Sequence, residues 1–116
     1  MVEKRVYNRF KVDASIGLRH IDDRYPKGIS EKKIPVNVIN ISKGGIAFKS
    51  EHKFELNSFY NTWITLDNKD SFDAVIEVVR MENLGEVETT YGCRFIGMTE
   101  ECKFKIEVFQ IVSNYE

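Results

Sequence analysis

Cysteine is scarce in this sequence: Cys93 and Cys102 are the two in 116 residues. Two cysteines are too few for a disulfide-stabilised scaffold, and they form no Cys-x-x-Cys or Cys/His cluster of the kind that binds zinc. A chain of this length buries roughly two thirds of the surface that its unfolded form exposes, so it can build a core without disulfides or a structural metal. We therefore expect a reduced, cytoplasmic protein without a metal.

An excess of charge of one sign is also absent, because 17 Lys and Arg stand against 18 Asp and Glu, for a net charge of −1. This balance argues against a protein that coats a nucleic acid polymer through bulk electrostatics. The apolar runs are only a few residues long, and the first residues lead into none, so we expect no membrane insertion and no signal peptide. No Gly/Ser-rich linker divides the chain, which predicts one domain over residues 1–116.

Catalytic motifs are missing as well. The two histidines, His20 and His52, stand in no recognisable metal-ligand pattern, and there is no Gly-x-Ser-x-Gly elbow, Walker loop or dinucleotide fingerprint. A nucleophile needs a base to activate it, and the sequence offers no convincing pair. We expect His20 to lie at the surface and Cys93 to act as a small core residue. The prediction is a protein that is not an enzyme.

Period-two alternation of apolar and polar residues is the main signal that is present. It predicts six strands: Phe10–Leu18, Ile34–Ile41, one that begins at Ile46, Tyr60–Leu66, Phe72–Val78 and Val87–Met98. Loops or turns are predicted at Ile21–Lys33, Glu51–Ser58 and Asp67–Asp70. In the second strand, Ile39 and Ile41 share the face opposite Val38. We expect Trp63 to lie in the core or to act as a barrel lid.

The pattern changes after Met98 to that of one amphipathic helix. Thr99 is a suitable N-cap, and Glu100 and Glu101 suit a helix N-terminus. Phe104, Val108, Ile111 and Val112 follow at helical spacing and predict the packed face. About six antiparallel strands followed by one helix predict an all-β class protein: a small closed or nearly closed barrel over residues 10–98 with a helix over 99–114.

A basic cluster precedes the first strand. Arg5 and Arg9 are four residues apart, which places them on the same side of either a helix or a strand. Arginine binds phosphate through two parallel hydrogen bonds, which a lysine cannot reproduce. Two converging guanidinium groups suit a compact ligand with more than one phosphate. The alternative is an ordinary solvated basic segment.

A polar, glycine-rich cluster ends the second strand: Asn40-Ile41-Ser42-Lys43-Gly44-Gly45. Asn40 and Ser42 share a face by period two and offer an amide and a hydroxyl. Gly44 and Gly45 permit positive φ angles and close approach of a ligand to the backbone. The cluster suits contact with the edge of a base or with a phosphate. Its alternative is plain turn chemistry, since any β-turn favours these residues.

Together the two clusters resemble the PilZ domain family, in its Arg-x-x-x-Arg and (Asp/Asn)-x-Ser-x-x-Gly signatures. Here these are Arg5-x-x-x-Arg9 and, about thirty residues later, Asn40-x-Ser42-x-x-Gly45; the segment Tyr91–Gly97, with Gly92, resembles the closing strand of the family. The resemblance implies a six-stranded antiparallel PilZ-type β-barrel with one C-terminal α-helix. It also implies a receptor for the bacterial second messenger cyclic di-GMP, bound as a ligand rather than a cofactor.

The resemblance further implies roles for individual residues. Arg5 and Arg9 would lie on a flexible arm, residues 1–10, that clamps the ligand, while Asn40 and Ser42 would contact guanine. Gly44 and Gly45 would form the turn beside the ligand. The position of Lys4 is associated in the family with binding of one ligand or of an intercalated pair.

Arg80 and Arg94, on the last two predicted strands, are further candidates. The resemblance implies that they add phosphate or guanine contacts, as late-strand arginines do in some family members. The alternative is that they form weak surface ion pairs with Glu77 or Glu88.

Three hypotheses of function follow. The first is a stand-alone receptor or adaptor without an output domain, whose arm changes conformation on binding and signals to an unidentified partner protein. The second is a ligand-independent interaction module on the same scaffold, which the retained arginines argue against. The third is a single-stranded nucleic-acid binder on a small barrel, which the net charge of −1 argues against.

Overall fold

The computed structural model describes residues 12–18, 32–66 and 70–114, with only the backbone of 113 and 114. Its elements are β1 (Val12–Gly17), β2 (Lys33–Ile41), β3 (Gly45–Ser50), β4 (Phe59–Leu66), β5 (Ser71–Glu82), β6 (Thr89–Ile96) and α1 (Glu100–Asn114). The predicted arm over 1–10, His20, most of the predicted loop over 21–33 and residues 67–69 of the predicted turn lie outside the described residues.

The six strands form a closed barrel in the order β1-β2-β3-β6-β5-β4. Every neighbouring pair is antiparallel, and β1 closes the barrel by pairing with both β2 and β4. Closure pairs the strand edges that an open sheet would leave exposed. The predicted six-stranded antiparallel barrel with one C-terminal helix is therefore confirmed.

Inward-facing side chains from all six strands fill the barrel. One end of this core is closed by Phe54, which lies in the loop that the sequence predicted to be polar and is only 2% exposed. The Phe54 ring packs edge-on against Tyr60, Tyr91 and Phe48, at centroid distances of 5.0, 5.3 and 5.8 Å. The Tyr91 hydroxyl accepts a hydrogen bond from the Phe54 N–H (2.9 Å) and donates one to the His52 carbonyl (3.0 Å). These bonds hold the loop against the core.

The helix packs on the barrel through a face different from the predicted one. Ile106 and Phe109 are buried, whereas three of the four predicted contact residues, Phe104, Ile111 and Val112, are exposed. The predicted face was therefore wrong. Both sets recur at helical spacing, so periodicity alone does not select between them. The barrel selects the Ile106 face, where the Gln110 amide also donates to the Ile41 carbonyl at 3.1 Å.

The start of the helix follows the expected chemistry. The Cys102 N–H donates to the Thr99 hydroxyl oxygen at 3.1 Å, so Thr99 is the N-cap. Glu100 and Glu101 occupy the first turn. Among the described residues, no helix is long and apolar enough to cross a membrane.

Two further residues differ from the sequence prediction. Ile41 is buried and Ile39 is exposed, although period two placed them on one face, because the register of β2 against β3 shifts between Val38 and Asn40. Trp63 lies on the outer face of β4, half-buried, with the Lys33 ammonium 4.4 Å from its ring centroid. It is therefore a surface cation–π partner rather than a core residue.

Candidate ligand-binding site

Two β-bulges shape one wall of the barrel. In β2, Val38 lies opposite Phe48 and Asn40 opposite Ala47, so Ile39 is an extra residue. In β5, Val78 lies opposite Cys93 and Arg80 opposite Gly92, and Val79 is the extra residue. A bulge reverses the alternation of inward and outward side chains that follow it. Without these bulges, Asn40 and Arg80 would point into the core; with them, both lie exposed on the outer face.

The hairpin between β2 and β3 positions the polar cluster. Ser42 N–H donates to the Gly45 carbonyl (2.9 Å), and the Ser42 hydroxyl accepts a bond from the Gly44 N–H (3.2 Å). The Gly44 carbonyl in turn accepts a bond from the Phe95 N–H of β6 (2.9 Å). The turn is therefore tied to the neighbouring strand, which holds Ser42 at a defined place on the surface.

Gly45 has a structural role that differs from the one predicted. The φ angle of Gly45 is not positive, so the conformational freedom of glycine does not explain why glycine occupies this position. A Cβ at this position would collide with the Cys93 carbonyl oxygen and would lie 3.2 Å from the Arg94 Cα. Glycine is needed here because the backbones of β3 and β6 approach too closely for any side chain.

Between the bulged strands lies a cavity of about 230 Å³, which we call the β3–β6 cavity. It is lined by Asn40, Ser42, Gly44, Gly45, Ile46, Ala47, Val79, Arg80, Gly92 and Cys93. Small residues of the two central strands, Ala47 and Gly92, lie directly opposite each other between β2 and β5. The two flanking strands are three strand spacings apart, or roughly 14 Å. The shape is a shallow depression with polar groups at its sides.

Arg80 is the one charged side chain among the described residues that line this cavity. Its guanidinium group lies over Gly92, and its Nε donates to the Glu82 carboxylate at 3.0 Å. The Cys93 thiol faces the core, and burial raises its pKa to about 12, while the nearby Arg80 lowers it by a smaller amount. The thiol is therefore neutral near pH 7. Because Arg80 then supplies the charge of the described lining, the cavity is suited to binding an anionic or acceptor-rich ligand.

The structure brings most of the predicted site residues together. Asn40, Ser42, Gly44, Gly45, Arg80 and Gly92 all line the one cavity. Arg94 does not line it; this residue lies opposite Gly45, and its Nε donates to the Glu77 carboxylate at 2.6 Å. The predicted alternative of a surface pair with Glu77 thus describes Arg94. Lys4, Arg5 and Arg9 lie outside the described residues.

Among the residues of this region that are at least partly exposed, sequence analysis missed Ala47, Val79 and Glu82. Val79 is displaced by a bulge, which leaves no clear trace in a run of apolar residues. Glu82 follows Arg80 by two positions, and that spacing puts their side chains on one face of a strand, which is a detectable signal. Ala47 is recognisable only once β3 is paired with β6 and Gly92 is seen opposite it.

Comparison with known proteins agrees with this architecture. No curated protein and no solved structure matches the chain. The family model described as PilZ domain matches residues 3–109, which is nearly the whole chain. PilZ domains are generally cyclic di-GMP-binding domains, and they act as binding or adaptor domains rather than as enzymes. With the closed six-stranded barrel, its C-terminal helix and this match, the chain belongs to the PilZ domain family.

Proposed function

We propose that this PilZ domain is a bacterial, cytoplasmic receptor for cyclic di-GMP and that the ligand binds in the β3–β6 cavity. One observation carries the proposal: Asn40, Ser42, Gly44 and Gly45 line the same cavity as Arg80 and Gly92, on strands that are far apart in sequence. The cavity thereby combines an amide, a hydroxyl, exposed backbone and a guanidinium group. Guanine edges and phosphate oxygens are the partners that these groups prefer.

The topology supports a contribution from Arg5 and Arg9. β1 is antiparallel to β2, with Ala14 opposite Val36, so the chain before Val12 and the chain after Val38 lie toward the same end of the barrel. Arg9 precedes Val12 by three residues and Arg5 by seven. At about 3.5 Å per residue, these segments span at most about 10 and 25 Å before the side chains begin. These lengths, with an extended arginine side chain added, support the proposal that both guanidinium groups contact a ligand in the cavity.

The energetics suit a messenger receptor. A charge-assisted hydrogen bond contributes about 1.5–3 kcal/mol, and stacking of an arginine on a base adds about 1–2 kcal/mol. Micromolar binding needs about 8 kcal/mol. Four such contacts, at about 2 kcal/mol each, supply this value. The ordered arm then presents a new surface, and we propose that an effector protein recognises it.

The test is calorimetric titration of the wild-type protein with cyclic di-GMP, with GTP and cyclic di-AMP as specificity controls. Arg5→Ala or Arg9→Ala is expected to weaken binding at least tenfold, since each removes charge-assisted contacts worth about 1.4 kcal/mol or more. Asn40→Ala is expected to weaken binding about threefold to tenfold, because it removes a neutral hydrogen bond of about 0.5–1.5 kcal/mol.

Asn37→Ala is the matched control for Asn40→Ala. Asn37 is also an exposed asparagine of β2, but its amide donates to Glu88 at 2.8 Å and it does not line the β3–β6 cavity. The affinity of the Asn37→Ala variant for cyclic di-GMP is expected to equal that of the wild type. A wild-type protein with no heat of binding and no thermal shift would refute the receptor function and favour the ligand-independent interaction module.

A further inference from the structure

Two neighbours contact the Arg80 side chain. Its Nε donates to the Glu82 Oε2 at 3.0 Å, within the same strand. On the adjacent strand, Gly92 lies directly opposite Arg80. A Cβ built on Gly92 would lie 2.8 Å from the Arg80 Cζ and 2.8 and 3.1 Å from its two terminal nitrogens. The terminal part of the guanidinium group, Cζ with its two amino nitrogens, therefore lies against the bare Cα of Gly92.

We propose, on the basis of the proposed function, that Arg80, Glu82 and Gly92 act as one unit that presents a fixed guanidinium fork to the ligand. Glu82 is a positioning residue: its carboxylate accepts the hydrogen bond from the Arg80 Nε–H, and the two terminal amino groups are left to face the cavity. Gly92 supplies the space in which the plane lies. An end-on fork of this kind donates two parallel hydrogen bonds to paired acceptors, either phosphate oxygens or the O6 and N7 atoms of guanine.

The fold supports this arrangement at some cost. A glycine in the middle of a strand weakens the sheet relative to a residue with a side chain. Gly92 is nevertheless central in β6, and no positive φ angle explains it. The bulge at Val79 turns Arg80 outward to meet it. Bulge, glycine and carboxylate thus all serve the position of one guanidinium group.

The Gly92→Ala variant separates an effect on ligand binding from an effect on the stability of the fold. Alanine favours a strand more than glycine does, so we expect the melting temperature to be unchanged or higher. The added Cβ displaces the guanidinium group, and cyclic di-GMP affinity is expected to fall at least tenfold. In an Arg80→Ala background, the same substitution is expected to have no further effect. An equal loss in both backgrounds would overturn the unit, because Cβ would then be obstructing the ligand itself.

Glu82→Ala separates positioning from charge. If Glu82 acted only through Coulomb repulsion of the anionic ligand, removing its negative charge would strengthen binding. If Glu82 positions Arg80, affinity instead falls about threefold, and Glu82→Gln, which keeps an acceptor oxygen, restores part of it. Glu86→Ala is the matched control, because it removes the same charge from the hairpin between β5 and β6 without touching Arg80. This control is expected to bind as tightly as the wild type, or slightly more tightly.

A second readout does not depend on the ligand. In nitrogen–proton NMR spectra of the free protein, the Arg80 Nε–H signal is expected to shift in Glu82→Ala and in Gly92→Ala, and to stay in place in Glu86→Ala. A cyclic di-GMP analogue with 7-deazaguanine bases, which lacks the N7 acceptor, separates the two contacts. If it binds the wild type as tightly as cyclic di-GMP does, the fork contacts phosphate; if its affinity is lower for the wild type but equal to that of cyclic di-GMP for Arg80→Ala, the fork contacts guanine.

The two levels of proposal fail differently. Wild-type binding with an undiminished affinity in Glu82→Ala would overturn the unit and leave the receptor function in place. A wild type that does not bind cyclic di-GMP would overturn both.

Discussion

At the scale of single residues, the site depends on two glycines, because a side chain at either position would collide with a neighbour. Gly45 lets β3 approach the Cys93 carbonyl, and Gly92 makes room for the Arg80 guanidinium. The obstacle at Gly45 is backbone, which cannot move without disturbing the sheet, whereas the obstacle at Gly92 is a long, half-exposed side chain. The two glycines of the same wall therefore have different consequences: one serves the fold and the other the proposed binding unit.

Gly45→Ala is accordingly expected to destabilise the barrel, whatever it does to binding. Overpacking against backbone costs about 1–3 kcal/mol, which urea denaturation measures directly. Gly44→Ala, one residue earlier, is the control, because its nearest contact would be the Ser42 Oγ at 3.9 Å. Equal stability of the two variants would contradict the proposed close approach of β3 and β6.

At the scale of secondary-structure elements, two features are set by packing. The bulges at Ile39 and Val79 reverse the alternation of β2 and β5, which turns Asn40 and Arg80 outward and Ile41 into the core. The helix carries two apolar stripes and buries only the one that contains Ile106 and Phe109. In both cases the sequence predicts the element correctly but does not predict which of its side chains face the core.

A pair of identical substitutions tests the orientation of the helix. Ile106 is fully buried and Ile111 is 53% exposed, so Ile106→Ala is expected to cost about 2–5 kcal/mol of unfolding free energy and Ile111→Ala less than about 0.5 kcal/mol. Both variants raise intrinsic helix propensity by the same amount, since alanine is the best helix former, so the comparison reports packing alone. Chemical denaturation of the two side by side gives the comparison, and the reverse order would restore the face predicted from periodicity.

At the scale of the whole molecule, the closed barrel buries groups that titrate at alkaline pH. Burial raises the pKa of Cys93 to about 12, against an ordinary value of 9.0, and also raises the pKa of Tyr60. Below about pH 9, the Cys93 thiol keeps its proton in both the folded and the unfolded chain. Above that pH, the unfolded chain releases the proton while the folded chain retains it, so the free energy of unfolding falls as pH rises toward 12.

Urea denaturation at a series of pH values from 8 to 11 is expected to show this decline. Cys93→Ala removes the thiol and is expected to lose less stability over the same range, although its stability at pH 8 is lower because of the smaller side chain. Parallel curves for the two proteins would show that the thiol does not contribute to the alkaline decline.

The sequence by itself determined the strands, the helix and its N-cap, and the two motifs that indicate the family. These are local signals: period two, helical spacing, turn residues and a capping threonine are all readable within a few positions. The clustering of Asn40, Ser42 and Gly45 also follows from one short segment. Six antiparallel strands with a helix then left few ways to close a barrel of this size.

Only the tertiary structure decided how these elements face one another. Arg80 meets Gly92, and Ala47 lies beside it, because β5, β6 and β3 pair in a particular register. The bulges that set this register, and the helix face that packs on the barrel, are choices between alternatives that the local sequence pattern does not separate. Contacts between residues distant in the chain make those choices, which is why the position of Arg80 over Gly92 had no counterpart in the sequence pattern.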